Sequence, residues 1–420
     1  MAPGPGAEGG GGVIRRRVAA AALALLAVTP ALAQEARPPG VTPAPLADSY
    51  TFDTAEQHGV AATVVARGLP RSFALAFLPD GDLLVAERGG NLRLVRGATG
   101  PSPELLAQPV AGMPLPSATN RSFGLNDVSV DPDFAGTGLV YWTWNTVEPN
   151  TAQPDQPPQT GRFTIMRARL SGTALTQIET VFTAEQPGYP GGARVDLDAS
   201  GHLWATTGSP FGAEAQDPAS PYGKVLRLNA DGSIPADNPF AGQPGAHPAV
   251  WSLGHRDQHA LALLPDGTIL TAEHGPNGGD ELNRIERGAN YGWPVVSLGR
   301  NYDGSGIDTA RRHVDGMADP LVAWLPSIAP SGMVVYSGEA FPAWLGNVFI
   351  GSGRRGSIAN TGGLERVVFN ADWGELRRET LLTGLNQRVR DVAQGPDGLL
   401  YVLLDGPDTA VLRLSPAPLP

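Results

Sequence analysis

A tight turn between two apolar runs recurs six times along this chain of 420 residues. In the clearest copies the turn is Asp-Gly, as at Asp80-Gly81 and Asp397-Gly398, followed by apolar residues. Asp-Gly between apolar runs is a strong β-hairpin signal, because glycine supplies the positive φ that the turn requires. The turns lie at positions 81, 133, 201, 267, 346 and 398, which are 52 to 79 residues apart. This spacing predicts an all-β chain, a six-bladed β-propeller of four-stranded antiparallel blades, with a sandwich or irregular barrel as the alternative.

Composition limits the classes of function. The formal net charge of −11 argues against a nucleic-acid partner, because phosphate binding requires a basic surface. The chain has no cysteine, which excludes cysteine nucleophiles, thiolate zinc sites and iron–sulfur clusters. The 54 glycines and 40 prolines are typical of many short strands joined by tight turns.

The N-terminus has the pattern of an export signal. Arg15-Arg16-Arg17 is a basic segment, residues 18–28 are apolar, and Ala31-Leu32-Ala33 is a small-residue cleavage site before Gln34. We therefore expect a signal peptide over 1–33, of the Sec or twin-arginine type, and a periplasmic or secreted protein. An uncleaved anchor is the alternative, and no later segment is apolar enough to span a membrane. Residues 34–55 are expected to form an extended arm and 56–420 the propeller.

Residues that suit an anion or metal site gather between positions 250 and 300. His255, Arg256 and Asp257 are followed by Glu273-His274-Gly275-Pro276 and by Asp280-Glu281. Glycines let the backbone approach a ligand closely and turn carbonyl oxygens towards a hard cation. The histidines are equally typical of side chains hydrogen-bonded within a propeller loop, and the carboxylates of Asp280-Glu281 are equally typical of turns. Both interpretations are open at this point.

A second group is basic. Arg388 and Arg390 lie two residues apart on a predicted strand, so their side chains point to the same face. In the crowded mouth of a propeller two guanidinium groups repel each other and require an anionic partner. Paired surface arginines are the alternative, and Arg354-Arg355 allows the same two interpretations.

Several segments, taken in order from about residue 65 to the C-terminus, resemble the soluble pyrroloquinoline quinone (PQQ)-dependent glucose, aldose and sorbosone dehydrogenases. The matching strings are Tyr222-Gly223-Lys224-Val225-Leu226-Arg227-Leu228-Asn229, Leu253-Gly254-His255-Arg256, Glu273-His274-Gly275-Pro276, Gly279-Asp280-Glu281-Leu282-Asn283, Asn290-Tyr291-Gly292-Trp293-Pro294 and Arg388-Val389-Arg390-Asp391-Val392.

The resemblance implies a cofactor site. PQQ is a planar quinone with three carboxylates, and its partners are expected to be cations. The residues that the resemblance assigns to it are Arg256, Ser327, Arg354, Arg388 and Arg390. It also implies that the backbone carbonyls of Gly275 and Pro276 hold a Ca²⁺ ion, which acts as a Lewis acid on the quinone.

The catalytic part departs from the family pattern. The family has a general-base histidine four residues before an arginine, and here the residue four before Arg194 is Pro190. A glutamine of the family is replaced by Ser122, and the asparagine expected after Arg256 is Asp257. His259 lies two residues beyond Asp257 on the same predicted strand, so we expect His259 or Asp257 to act as the base.

The function expected from the resemblance is PQQ- and Ca²⁺-dependent oxidation of an aldose or another alcohol, with electrons passed to a periplasmic acceptor. One alternative is a catalytically degenerate propeller that binds PQQ or another ligand. Another is a Ca²⁺-dependent hydrolase of the lactonase type. The protein is expected to be a monomer or a homodimer, with no membrane span once the signal is removed.

Overall fold

A computed structural model describes Met1 and residues 40–114, 124–146, 161–212, 214–307, 310–405 and 409–418. The chain divides into two units, Met1–Arg37 and Pro38–Pro420, and the propeller belongs to the second. The predicted signal peptide beyond Met1, Ser122 and most of the loop 145–162 lie outside the described residues.

The described residues form six antiparallel sheets, which are the blades of a propeller. The chain starts with β1 (Ser49–Phe52) and β2 (Val60–Arg67). Blade 1 comprises β3 (Ser72–Phe77), β4 (Leu83–Glu87), β5 (Leu92–Arg96) and β6 (Glu104–Leu105). Blade 2 comprises β7 (Gly124–Val130), β8 (Leu139–Asn145), β9 (Phe163–Ser171) and β10 (Ala174–Thr183). Blade 3 comprises β11 (Val195–Leu197), β12 (His202–Thr206), β13 (Lys224–Asn229) and β14 (Val250–Leu253).

The second half of the chain repeats the arrangement. Blade 4 comprises β15 (Gln258–Leu263), β16 (Ile269–Glu273), β17 (Asp280–Arg284) and β18 (Val322–Trp324). Blade 5 comprises β19 (Pro330–Val335), β20 (Val348–Ser352), β21 (Gly363–Phe369) and β22 (Glu375–Leu381). Blade 6 contains β23 (Arg388–Gln394), β24 (Leu400–Asp405) and β25 (Ala410–Pro416). The six-bladed, mostly four-stranded propeller is therefore confirmed.

The six turns seen in the sequence have one structural role, since each joins the first strand of a blade to the second. Glycines at five of them, at positions 81, 201, 267, 346 and 398, have φ between 74° and 89°. The second turn contains the short helix α1 (Phe134–Thr137) instead, and Gly138 closes it with φ of 63°. Positive φ is accessible to glycine at little cost, so these positions fix where each hairpin reverses.

Blade 6 closes the ring with strands from both ends of the described chain. β2 pairs antiparallel with β25, and β1 adds a fifth strand outside β2. The first strands of neighbouring blades contact each other in a closed cycle, β3–β7–β11–β15–β19–β23–β3. These six strands surround the propeller axis, and their N-terminal ends lie at one end of it.

The core is divided among the blade interfaces. Six clusters of buried apolar side chains lie one between each pair of neighbouring blades. Trp142 of β8, for example, is 1% exposed and packs in the cluster shared with blade 1. The remaining helical segments are single 3₁₀ turns at Pro342–Trp344 and Thr383–Leu385. None of the described helices has the length and apolarity to cross a bilayer.

Candidate functional site

The antiparallel order of the strands determines which residues gather at one end of the axis. In every blade, the start of the first strand and the loop between the second and third strands lie at the same end. Arg256 and Asp257 precede β15, residues 274–279 link β16 to β17, Ser327 precedes β19, and Arg354 follows β20. Arg388 and Arg390 begin β23. We call this end of the propeller the mouth.

Arg256 is buried and held by the backbone of the loop 274–279. Its Nη1 donates hydrogen bonds to the carbonyl oxygens of His274, at 2.8 Å, and of Gly275, at 3.0 Å. The guanidinium also lies over the ring of Trp293, 5.1 Å from its centre. The buried Nε of Arg256 has no hydrogen-bond partner among the described residues. A buried donor without a partner is costly, so this atom is a candidate contact for a ligand.

Arg388 and Arg390 share a carboxylate that the sequence analysis did not single out. Arg390 Nε lies 3.1 Å and Arg388 Nε 3.4 Å from Oδ2 of Asp405, at the end of β24. A break in the strand register between Val389 and Asp391 accommodates this arrangement. One carboxylate balances one of two guanidinium charges, and the pair retains a net positive charge.

Arg354 and Arg355 have different environments although they are adjacent. Arg355 forms an ion pair with Glu365 of β21, the third strand of blade 5. The guanidinium of Arg354 makes no ion pair with any described residue. A Cβ placed on Gly353, next to Arg354, would lie 3.3 Å from Nη2 of Arg388. The backbone next to Arg354 therefore lies close to the Arg388 guanidinium, whereas the Arg355 side chain is held within blade 5.

Phe73 and Arg88 complete this part of the mouth, and sequence reasoning missed both. The guanidinium of Arg88 lies 3.7 Å, and that of Arg390 4.6 Å, from the centre of the Phe73 ring. Arg88 is 4% exposed and bonds Asn126. Burial, then the charge of Arg390, lowers the pKa of Arg88 to about 9. Two guanidinium groups on one ring indicate a site built for an anion.

The other side of the mouth carries a carboxylate and two histidines. His259 Nε2 lies 3.3 Å from Oδ1 of Asp257, and His274 Nδ1 lies 3.9 Å from Oδ2. The two imidazoles are stacked, with centres 4.1 Å apart and planes 14° apart. Burial opposes the charge of Asp257, but His259, His274 and Arg256 outweigh it and hold its pKa well below the usual value. Asp257 is therefore ionised at neutral pH.

The loop with the family's missing histidine packs directly against this group. A Cβ on Gly191 would lie 2.5 Å from Asp257 Oδ1, and one on Gly192 would lie 2.7 Å from Cγ of His259. Pro190, the residue before them, is buried, and its carbonyl accepts a hydrogen bond from Gly208 N. The structure thus brings His259 next to the position where the resemblance expects a base.

A closed series of contacts links blades 4, 1, 6 and 5 at the mouth. From Arg256 they pass through His274 and His259 to the Phe73 ring, whose centre is 6.3 Å from that of His259. They continue through Arg390, Asp405 and Arg388 to the loop of Arg354. Gly356 N in that loop donates to the Ser327 carbonyl, and the Ser327 hydroxyl accepts from Gly278 N and donates to Asp280. Gly278 lies in the same loop as His274 and Gly275, whose carbonyl oxygens accept from Arg256, so the series is closed. The side chains of six residues proposed from the sequence are joined in this series, namely Arg256, Asp257, His259, Ser327, Arg388 and Arg390, and the loop that carries Arg354 lies within it.

A small cavity lies behind the loop of Gly275 and Pro276. It has a volume of about 10 Å³ and is lined by both residues together with Glu273 and Glu281. Burial raises the pKa of Glu273, and burial with the charge of Glu273 raises that of Glu281. Carbonyl and carboxylate oxygens are the donors that Ca²⁺ takes, so the donor set fits the expected ion. The Gly275 oxygen accepts from Arg256 and keeps a second lone pair.

His255 is a structural residue, in contrast to His274. It is fully buried. Its Nε2 forms a hydrogen bond of 2.9 Å with the Ser252 hydroxyl, and its Nδ1 lies 3.1 Å from Oε2 of Glu273. Its ring also stacks on Tyr291. Burial lowers the pKa of His255 to about 3, so it is neutral. Of the two interpretations open for this histidine, the hydrogen-bonded loop residue is the one observed.

Comparison with known proteins identifies the family. A family model described as glucose/sorbosone dehydrogenase matches residues 69–413. The chain belongs to the glucose/sorbosone dehydrogenase family. An aldose sugar dehydrogenase of Escherichia coli K12 is 35% identical over 359 residues, covering 83% of this chain and 91% of the relative.

Solved structures of family members agree with the fold. The apo form of the soluble aldose sugar dehydrogenase of E. coli superimposes with a TM-score of 0.75 at 33% identity, covering 85% of this chain and 99% of that chain. The PQQ-bound aldose sugar dehydrogenase of Streptomyces coelicolor gives a TM-score of 0.64 at 27% identity, covering 86% and 99%. PQQ is thus bound by a homologue of the same architecture.

Proposed function

We propose that this protein is a PQQ- and Ca²⁺-dependent dehydrogenase that oxidises a hydroxyl-bearing carbon of an aldose or a related alcohol. The observation that carries the proposal is the closed ring of contacts at the mouth. It joins arginines from blades 1, 4, 5 and 6 to a loop whose carbonyl oxygens suit Ca²⁺. Membership of the family and the PQQ-bound homologue support it.

The charges of the mouth fit the proposed cofactor. Five arginines lie at the mouth, at positions 88, 256, 354, 388 and 390, against the three carboxylates of Asp257, Asp280 and Asp405. This leaves an excess of positive charge that three carboxylates of PQQ would balance by charge-assisted hydrogen bonds. Arg256 Nε and the Arg354 guanidinium supply donors that no described side chain uses. Gly275, Pro276, Glu273 and Glu281 would hold the ion.

We assign the role of the base to His259, with Asp257 as its partner. Nε2 of His259 faces Asp257, so a proton on Nε2 leaves the Nδ1 lone pair for the substrate hydroxyl proton. An ionised carboxylate beside the imidazole stabilises the imidazolium that forms, as in hydrolase triads. Asp257 itself is a weak base, because its pKa is held low. When bound, PQQ supplies the two-electron acceptor for hydride, and Ca²⁺ polarises its carbonyl.

The test is reconstitution of the purified protein with PQQ and Ca²⁺, followed by absorbance of the quinone. We expect a shifted quinone spectrum on binding, which bleaches when an oxidisable sugar or alcohol from a panel is added. Spectral binding without bleaching by any substrate would contradict the dehydrogenase and favour a degenerate ligand-binding propeller. Lactone hydrolysis that requires Ca²⁺ but not PQQ would favour the hydrolase.

The place of action is a further part of the proposal. The basic, apolar and small-residue segments of 1–33 support export, with cleavage near Ala33 and Gln34. Mass spectrometry of the protein from the periplasm or medium of its host should give an N-terminus near Gln34. A full-length chain retained in the cytoplasm would contradict export.

A further inference from the structure

We infer that Asp257, His259 and His274 form a binding site for a divalent transition-metal ion such as Zn²⁺, separate from the oxygen-lined Ca²⁺ cavity. This goes beyond the proposed function, because neither PQQ nor sugar oxidation requires such an ion. One ligand atom from each of the three side chains lies within 4.8 Å of the ligand atoms of the other two. Two imidazoles and one carboxylate with open positions are a donor set that Zn²⁺ and Fe²⁺ both accept in proteins.

The spacing of the donor atoms suits a small ion. Zn²⁺ binds nitrogen and oxygen at about 2.0–2.2 Å, so neighbouring ligand atoms of a tetrahedral site are about 3.4 Å apart. His259 Nε2 and Asp257 Oδ1 are already 3.3 Å apart, and His274 Nδ1 is 3.9 Å from Oδ2. Ca²⁺ prefers six to eight oxygen ligands, so the two sites select different ions by donor type.

His274 is oriented by an outer partner as a metal ligand commonly is. Its Nε2–H donates to the Pro330 carbonyl at 2.7 Å, which leaves the Nδ1 lone pair facing Asp257. A backbone carbonyl on the far nitrogen fixes the tautomer of many metal-bound histidines.

Asp257 supplies the second observation. It is 9% exposed, and its Oδ1 has no hydrogen-bond partner among the described residues. The 3.3 Å contact with His259 is therefore not a well-formed hydrogen bond. This buried oxygen therefore has no hydrogen-bond donor among the described residues, and a metal ion would give it a direct ligand contact.

Binding requires one ring to move. The imidazoles are stacked with planes 14° apart, whereas ligands bind an ion close to the plane of their ring. His274 is held by Pro330, so His259 is the ring that turns, about a Cβ–Cγ torsion that is intrinsically soft.

The experiment is a Zn²⁺ titration by calorimetry of protein made without a histidine tag, with Ca²⁺ present and PQQ absent. We expect one equivalent to bind, and Co²⁺ to give a visible ligand-field spectrum at the same stoichiometry. Asp257→Asn, His259→Gln and His274→Gln should each weaken Zn²⁺ binding at least about tenfold, since loss of an outer partner alone costs 10- to 100-fold.

The matched control is His313→Gln, which should leave the affinity unchanged. His313 is exposed and lies between two carboxylates, 3.4 Å from Asp315 and 3.0 Å from Asp319, so it reports adventitious binding. Absence of stoichiometric Zn²⁺, or equal affinity in the three variants and the wild type, would overturn the inference. If a variant fails to fold, anomalous scattering at the zinc edge from soaked wild-type crystals decides, by a peak between the three residues or its absence.

Because the titration contains no PQQ, its failure leaves the proposed dehydrogenase intact, and failure of PQQ binding leaves the metal site intact. One consequence does depend on the proposed function. An ion on Nε2 of His259 places the ring proton on Nδ1, so bound Zn²⁺ should inhibit sugar oxidation.

Discussion

The two sides of the mouth differ in how closely they follow the pattern that the family resemblance implies. The arginine side, made of Arg354, Arg388, Arg390 and Asp405, has the cations that a tricarboxylate cofactor requires. The histidine side, made of Asp257, His259, His274 and the loop 189–192, has proline in place of the expected base. Under the proposed function, cofactor binding and proton transfer would be carried by these two separate groups of residues.

The largest effect should come from His259→Ala, on the histidine side. Losing a general base lowers turnover about 10²- to 10⁴-fold, so kcat of the PQQ- and Ca²⁺-loaded protein should fall in that range. The PQQ titration should be nearly unchanged, because the arginine side is intact. The control is His313→Ala, a histidine with similar carboxylate neighbours on an exposed loop. Turnover equal to wild type would remove His259 from the mechanism.

Arg390→Met tests the arginine side. Truncating one partner of a buried charge pair costs about 2–5 kcal/mol, which corresponds to a loss of PQQ affinity of about thirtyfold or more. Asp405 keeps Arg388 as a partner, so the fold should persist. Arg169→Met, an exposed arginine on the outer part of blade 2, is the control. Equal quinone titration curves for the Arg390 variant and the control would refute the assignment.

Pro190→His tests whether a histidine at position 190 can replace His259 as the base. Pro190 adjoins Gly191 and Gly192, which pack against Asp257 and His259. A histidine there should therefore reach the same part of the mouth. In the His259→Ala background we expect it to restore kcat at least about tenfold, the lower part of what a general base contributes. A folded double variant that binds PQQ and stays as slow as His259→Ala would show that position 190 does not face the substrate.

Much of the fold could be predicted because its signal is local. Asp-Gly turns such as that at Gly81 repeat within short windows, and each one turned out to join the first two strands of a blade. The closure of blade 6 by β2 and β25 has no such signal, since it depends on pairing between residues more than 340 positions apart, such as Val64 and Leu412.

The site was predictable in its sequence motifs and not in its contacts. Arg256, Arg388 and Arg390 stand in recognisable strings, whereas Arg88 and Asp405 lie in ordinary strand ends. The role of Arg88 depends on a contact between blades that are distant in sequence, because Arg88 and Arg390 both lie over the ring of Phe73. In the sequence, Arg88 is recognisable only as an arginine directly after a strand, and surface arginines have the same pattern.

The smallest predicted effect is on the free energy of unfolding and comes from Lys224, which is hydrogen-bonded to Gln258 next to the histidine side. Lys224, the single lysine of the chain, is fully buried and donates to the carbonyls of Glu214, Ala215 and Tyr222. Its own carbonyl accepts from Gln258, between Asp257 and His259. Burial, opposed by Asp217 and Glu214, lowers its pKa to about 7. Between that value and the ordinary value of 10.5, the unfolded chain holds more protons than the folded one.

The free energy of unfolding should therefore gain a contribution from Lys224 that rises with pH above about 7, by at most about 1.4 kcal/mol per pH unit. Lys224→Met should remove this rise and leave three carbonyls without their donor, so it should also be less stable at pH 9. Urea unfolding at pH 7, 8 and 9 measures both effects. A wild-type slope that the variant retains would show that Lys224 is charged in the folded protein. The histidine side would then rest on a buried ammonium ion held by three carbonyl oxygens.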